Sequence, residues 1–233
     1  MKNETITVFL PTRKGSQRVK NKNIRQFSIY KNGLLDLKLK QLVELSGVNE
    51  IILSTNDDAC IRIAKEYQLK YGNVKIISRP DELALSSTDL TDLIEYVPSI
   101  CSSTHILWTH VTSPFINAND YERAISDYFK CLNNGYDSLM SGRLYNDYLW
   151  DNEINDIINR NSTKKWPRTQ DLKPLYQIDN GIFLASKNIY SSNHDRIGAN
   201  PFIFQQNEIK AFDIDWEDDF AMAELMYDRF LKI

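Results

Sequence analysis

Leu10-Pro11-Thr12-Arg13-Lys14-Gly15-Ser16-Gln17-Arg18-Val19-Lys20-Asn21-Lys22-Asn23 carries five cations, no acid, and a single Gly-Ser at its centre. It follows an apolar run, residues 6–10, that reads as a buried strand. A loop leaving the carboxyl end of a first strand, with free backbone N–H groups and converging cations, suits a polyphosphate. Gly15 lets the backbone come close to phosphate oxygens. A solvated basic turn fits the same residues, because basic runs are commonly just exposed. The spacing is not that of a Walker A loop, which ends in Gly-Lys-Ser/Thr.

The rest of the chain sets the frame for that loop. Its 233 residues suffice for one α/β domain with an appendage, and 42% hydrophobic content can build a core. A net charge of −3 gives no reason to expect nucleic acid, so a basic loop in a mildly acidic protein points to a local anion site. No stretch is long and apolar enough to cross a bilayer, and no membrane partner is expected. Residues 1–4 run straight into the first strand, so no signal peptide is expected. Cys60, Cys101 and Cys131 are far apart and lack zinc or redox spacing, which predicts reduced thiols in a cytoplasm.

Apolar runs alternate with helical patterns as far as about residue 140. Strands are predicted over 6–10, 51–55, 74–77, 105–111 and 138–141, and helices over 34–45, from Asp57-Asp58 through Tyr67, over 90–100 after Thr88-Asp89, and from Asn119-Asp120 to Leu132. This alternation predicts an α/β fold, a mostly parallel doubly wound sheet with the strand-to-helix loops at one edge. Residues 145–177 are polar and rich in Asn, aromatics and Lys, with Pro167 and Pro174, and read as an inserted arm or as a long surface loop. Order returns with a strand over 180–184. A last strand is predicted over 209–214, then a closing helix over 216–231 with Phe220, Ala223, Leu225, Met226 and Phe230 on its apolar side.

The second concentration of charge is Phe212-Asp213-Ile214-Asp215-Trp216-Glu217-Asp218-Asp219-Phe220. On a strand, Asp213 and Asp215 point to one face and repel unless a cation lies between them. Mg²⁺ takes one or two carboxylates plus phosphate oxygens and water, which fits a site opposite the basic loop. A helix start fits as well, with Asp215 as N-cap and Glu217, Asp218 and Asp219 complementing the dipole. Arg79 has donors suited to cytosine's acceptors, or it pairs with Asp81 or Glu82.

Taken together these motifs resemble the acylneuraminate cytidylyltransferase (CMP-sugar synthetase) family. Arg13, Ser16, Lys22 and Asn23 match the family's first motif, with Gln17 and Lys20 as departures. Arg79-Pro80-Asp81-Glu82-Leu83-Ala84 resembles the segment lining the cytosine pocket. Val111-Thr112-Ser113-Pro114-Phe115 resembles the segment after the fourth strand. Pro167-Arg168-Thr169-Gln170 and Asn180-Gly181 have counterparts too, and the Asp213/Asp215 segment resembles the magnesium-binding motif.

The resemblance implies a nucleotide-diphospho-sugar transferase-like fold in a single domain over residues 1–233, with residues 144–178 forming a dimerisation arm. It implies transfer of CMP from CTP to an acidic sugar, a nonulosonic or 3-deoxy-2-keto acid, for surface glycan synthesis, with release of pyrophosphate by a homodimer. The nucleotide would be held by Arg13, Gly15, Ser16, Lys22, Asn23, Arg79 and Thr88. The acceptor would be held by His110, Thr112, Ser113, Arg168 and Asn180, with Lys164 or Lys165 beside Arg168, and Mg²⁺ by Asp213 and Asp215. Arg13, Lys22 and Asp213 would carry catalysis.

His110, Val111, Ile116, Trp150 and Asn56 depart from the family's sialic-acid pattern, so the expected acceptor differs from N-acetylneuraminate. His110 reads either as a neutral donor to the acceptor or as a satisfied buried histidine. Two other readings remain at this level: an enzyme of glycosyltransferase type using another nucleotide, and a non-catalytic nucleotide-binding protein.

Overall fold

The computed structural model describes residues 5–230. Residues 1–4 and the expected end of the last helix at Leu231 lie outside them. Strand β1 (Ile6–Pro11) is buried along nearly its whole length because it sits inside a seven-stranded sheet. The chain continues through α1 (Gly33–Val43), β2 (Val48–Thr55), α2 (Asp58–Tyr71), β3 (Val74–Ser78), α3 (Leu90–Ile100), β4 (His105–Trp108), α4 (Ala118–Leu132) and β5 (Ser138–Tyr145). After two short strands, β6 (Trp150–Asp151) and β7 (Asp156–Ile157), come β8 (Leu175–Ser186), α5 (Lys187–Asn193), β9 (Pro201–Gln206) and α6 (Glu217–Phe230).

The sheet order is β3-β2-β1-β4-β8-β5-β9. Every neighbouring pair is parallel except the two that involve β8. The two-residue period of the strands sends alternate side chains to two cores. Val8 and Leu10 of β1 join α1, α2, α4 and α6 on one face, and Phe9 joins α3 and α5 on the other. Trp108 of β4 fills the second core and meets Phe9 edge to face, with ring centroids 4.7 Å apart. The predicted doubly wound, mostly parallel sheet is therefore present.

Helix starts follow local chemistry. Asp57 caps α2 and Asp89 caps α3 through side-chain acceptance from the N–H two residues on. α4 starts at Ala118, one residue earlier than predicted, where Asn117 and Asp120 form a reciprocal capping box.

Several predicted elements differ, and the strand expected over 105–111 ends at Trp108. No strand forms over 209–214. β9 lies earlier, and Asn207 closes a turn by accepting from Lys210 N, while Ala211 N donates to Asn207 O. The arm is not wholly separate from the sheet: β5 and β8 pair as far out as Tyr145 and Leu175, so its stem is a two-stranded ladder. On α6, Tyr227 is buried with Phe220 and Ala223, whereas Leu225 and Phe230 face solvent at 72% and 56% exposure.

Candidate active site

In the order β3-β2-β1-β4, the chain leaves β1 to one side and returns as β4 on the other. The carboxyl ends of β1 and β4 therefore bound a crevice of the kind where open α/β sheets take ligands. The loop after β1 and the loop after β4 face each other across it. Two cavities open there, about 270 Å³ and about 300 Å³, and both are lined by Pro11, Thr12, Arg13 and His110. The first adds Arg79, Leu83, Ser86 and Thr88, and the second adds Ser16, Lys22, Asn23 and Thr112.

The loop after β1 is held by its own residues. Buried Asn23 donates to Arg13 O and accepts from Leu35 N, so it shapes the loop as well as lining the cavity. Gly15 has φ +82°, the left-handed region. A Cβ there would meet nothing within 4 Å, so backbone conformation rather than close contact requires the glycine.

The acidic segment meets this loop from the far end of the sequence. Lys22 Nζ donates to Ile214 O at 2.7 Å, and Arg18 Nη2 pairs with Asp215 Oδ1 at 2.7 Å. Ile214 N donates to Thr112 O, tying the segment to the loop after β4 as well. Asp215 is not the N-cap of α6. Its N–H and that of Trp216 both donate to Asp219 Oδ2, which leaves the Asp215 carboxylate for Arg18. Glu217 is more than a dipole residue, since both its carboxylate oxygens lie within 3.0 Å of Arg25 Nη1.

Asp213 is under-partnered. Among the described residues its Oδ1, sealed from solvent, has no hydrogen-bond partner, and its Oδ2 has only Asn180 Nδ2 at 3.4 Å. Burial pushes its pKa up, with the Thr112 hydroxyl nearby pulling the other way and Asp215 adding to the rise. Burial also lowers the pKa of Lys22, against the attraction of Asp213 and Asp215. Among the described residues, no three His, Cys, Asp or Glu side chains gather to hold a metal unaided. A carboxylate pair with an orphaned oxygen fits Mg²⁺, whose other ligands come from phosphates and water.

Arg79 is buried and pairs with no carboxylate among the described residues, so neither Asp81 nor Glu82 is its partner. Its Nε and Nη2 donate to Ser54 Oγ and O at 3.3 and 2.7 Å, leaving Nη1 open to the cavity. Burial, and then Arg13, lowers its pKa to about 10, so it stays cationic. The Thr88 hydroxyl donates to Glu82 O at 2.6 Å while lining the same cavity.

Not every expected site residue is in the crevice. Ser113 is 1% exposed, its Oγ is sealed without a partner, and it lines neither cavity. Its carbonyl accepts from Lys38 Nζ at 2.8 Å. Arg168 sits on the exposed arm, pairs with Asp171 at 2.8 Å, and lines neither cavity of its own chain.

Lys38 was not anticipated. It is fully buried and donates to Ser113 O, Ile116 O and Tyr121 Oη, so it props up the loop after β4. Arg196 was also missed; it is 8% exposed and lies beside His110. Both are buried cations without a carboxylate partner among the described residues, an exception to ordinary burial rules that no spacing in the sequence signals.

Comparison with known proteins agrees with this geometry. The cytidylyltransferase family model matches residues 7–230. The chain is 24% identical over 233 residues to a pseudaminic acid cytidylyltransferase of Campylobacter jejuni subsp. jejuni, covering 97% of each. Its fold is similar to that of a 4-diphosphocytidyl-2C-methyl-D-erythritol synthase from Anaerococcus prevotii, with TM-score 0.67, 14% identity and 97% of each chain covered. It is similar also to CMP:2-keto-3-deoxy-manno-octonic acid synthetase, solved with CTP, with TM-score 0.66, 12% identity, and 97% of this chain and 100% of that one covered. With the cation loop, the carboxylate pair and the crevice all within the matched span, the chain belongs to the cytidylyltransferase family and is a CTP-using nucleotidyltransferase.

Proposed function

We propose that the chain transfers CMP from CTP to an acidic sugar, a nonulosonic acid of the pseudaminic type rather than N-acetylneuraminate, and releases pyrophosphate. The observation that carries this reading is the closure of one crevice from both ends of the sequence, through Lys22 to Ile214 O and Arg18 to Asp215. The relative's acceptor and the departures at His110 and Ile116 favour that sugar class.

In this reading an acceptor hydroxyl oxygen attacks the α-phosphorus of CTP. The bond from that phosphorus to the bridging oxygen breaks, pyrophosphate leaves, and the hydroxyl proton passes to solvent. Such chemistry depends on positioning and charge neutralisation more than on a covalent nucleophile. Arg13, Ser16 and Lys22 bind the triphosphate, with the amides around Gly15. Lys22 is set by its bond to Ile214 O and stabilises the departing phosphates. Arg79 presents Nη1 to cytosine, and Thr88 lines the same chamber. Asp213 and Asp215 would hold Mg²⁺, which when bound supplies charge for the α-phosphate and lowers the pKa of the attacking hydroxyl. His110, Thr112 and Asn180 face the acceptor, and Arg168 reaches its carboxylate from the arm of a second copy.

The exposed apolar residues of the arm, among them Trp150, Ile154 and Trp166, support a dimer built through residues 144–178 of a single domain. Free, buried Cys60, Cys101 and Cys131 support a cytoplasmic setting. No described helix is long and apolar enough to cross a membrane.

The test is pyrophosphate release from each of the four nucleoside triphosphates with a panel of acidic sugars. CTP with a pseudaminic-type acid is expected to be the preferred pair. Clear preference for N-acetylneuraminate, or release with no acid at all, would defeat the reading.

A further inference from the structure

His110 stands at the boundary shared by the two cavities. Its ring is held by two groups that can only donate. Trp108 Nε1 lies 2.9 Å from His110 Nε2, and Arg196 Nη1 lies 3.4 Å from the same atom. Neither an indole N–H nor a guanidinium offers a lone pair. Nε2 must therefore be the unprotonated nitrogen, and a neutral ring carries its proton on Nδ1. Nδ1 has no protein partner among the described residues and is not sealed from solvent, so it opens to the cavities that the residue lines.

The scaffold behind the imidazole is built for this. The Arg196 guanidinium stacks 3.7 Å from the Phe183 ring centroid and 4.9 Å from that of Trp108. It finds no carboxylate partner among the described residues, and Trp108 is fully buried. The charged groups facing the ring come from separate parts of the fold, Arg196 before β9, Arg79 after β3, Lys22 in the loop after β1 and Lys38 on α1, and all are cations.

We propose that Arg196 and Trp108 are positioning residues that lock His110 in its Nδ1–H tautomer, so that it presents one fixed donor to an oxygen of the acceptor sugar. The locked tautomer follows from the hydrogen bonds alone, and its assignment to the acceptor rests on the function proposed above. A lone pair committed to two donors cannot take up a second proton without losing both bonds. Burial, and then Arg196 and the other cations, lower the His110 pKa to about 3, in the same sense. The donor is thus constant over the range in which an ordinary histidine would switch.

The experiment has two arms. The chain has three histidines, so ¹⁵N-histidine labelling gives a readable long-range ¹H–¹⁵N spectrum of the full protein. His110 is expected to show a protonated Nδ1 and a bare Nε2, unchanged from about pH 5 to about pH 8. A proton on Nε2, or titration of His110 in that window, overturns the proposal without reference to catalysis.

In the second arm, Arg196→Met is expected to mix the tautomers. It should raise KM for the acid about five- to tenfold, the worth of one hydrogen bond, with kcat and KM for CTP nearly unchanged. An unchanged spectrum, or a rise in KM for CTP alone, refutes it. Trp108→Phe, which removes the N–H and keeps most of the ring, gives the same readout if Arg196→Met fails to fold. Absence of any CTP turnover, with the tautomer as expected, counts against the proposed reaction and not against the lock.

Discussion

Asp213→Asn separates the cost of the site from its use. The wild-type carboxylate is half-buried, has one sealed and orphaned oxygen, and is 3.4 Å from the amide of Asn180. Its pKa is raised, mainly by burial. Between the ordinary carboxylate value and the raised one, the folded protein holds a proton that the unfolded chain has released. Stability therefore falls as pH rises through that window, and the full cost is present above it. Asn removes the charge at nearly constant volume.

An unpaired buried polar group costs about 1–3 kcal/mol, so we expect the variant to be more stable at neutral pH by about 1 kcal/mol, the low end of that range. For a chain of this length that is about 2–4 °C in Tm. Turnover is expected to fall about 10²- to 10³-fold, the loss typical of removing one electrostatic element from a polar transition state. Differential scanning fluorimetry against pH, with and without Mg²⁺ and CTP, measures the first effect, and pyrophosphate release measures the second. Mg²⁺ with CTP should raise the wild-type Tm and leave that of the variant nearly unmoved. A variant that keeps turnover within about threefold of wild type while losing more than about 1 kcal/mol would refute the assignment, because Asp213 would then be a structural carboxylate.

Four other substitutions test the frame. Burial alone would raise the Glu50 carboxyl, but bonds from Lys75 at 2.5 Å and from Ser102 and Thr7 at 2.6 Å bring its pKa down to about 2. That stabilisation is present above the ordinary carboxylate value and is lost as pH falls toward about 2. Glu50→Gln should therefore cost about 1–2 kcal/mol at neutral pH, discounted for the half-exposed lysine, and flatten the acid limb of a denaturation profile. Gly33 has φ +73°, and an added Cβ would lie 2.7 Å from the Ile24 carbonyl carbon. Gly33→Ala should lose about 3 kcal/mol or more by urea unfolding, whereas Gly47→Ala, with open space at φ +74°, should lose only about 1 kcal/mol. Ile154→Asp, at a position 62% exposed on the arm, should convert a dimer to a monomer by sedimentation equilibrium, and a monomeric wild type would remove the proposed interface.

The doubly wound core was legible because its strands are rich in apolar residues and α2, α3 and α4 begin at Asp or Asn. The two halves of the crevice were legible because each is a dense local run, residues 10–23 and 212–220. The segment 209–214 misled because its alternating apolar residues mimic a strand. Phe212 instead packs edge-on against Phe115, with centroids 6.0 Å apart, and Ile214 makes a single backbone bond to Thr112 O. Lys38 and Arg196 were illegible for a different reason. What makes them informative is the absence of a counter-ion in three dimensions, and a one-dimensional pattern carries no trace of that. Ser113 was misplaced for a similar reason, since its burial beside a lysine 75 positions earlier leaves no mark in the local sequence.

The bonds that join residues 18–28 to residues 214–228 bridge gaps of 192 to 200 positions. During synthesis the early loop emerges long before the segment that completes it, and residues 214–217 must clear the ribosome before Arg18, Lys22 and Arg25 find their partners. All nine described strands precede that segment, so the sheet can pair before the two ends of the crevice meet. Assembly of the sheet and closure of the crevice are thus separate events in the order of synthesis.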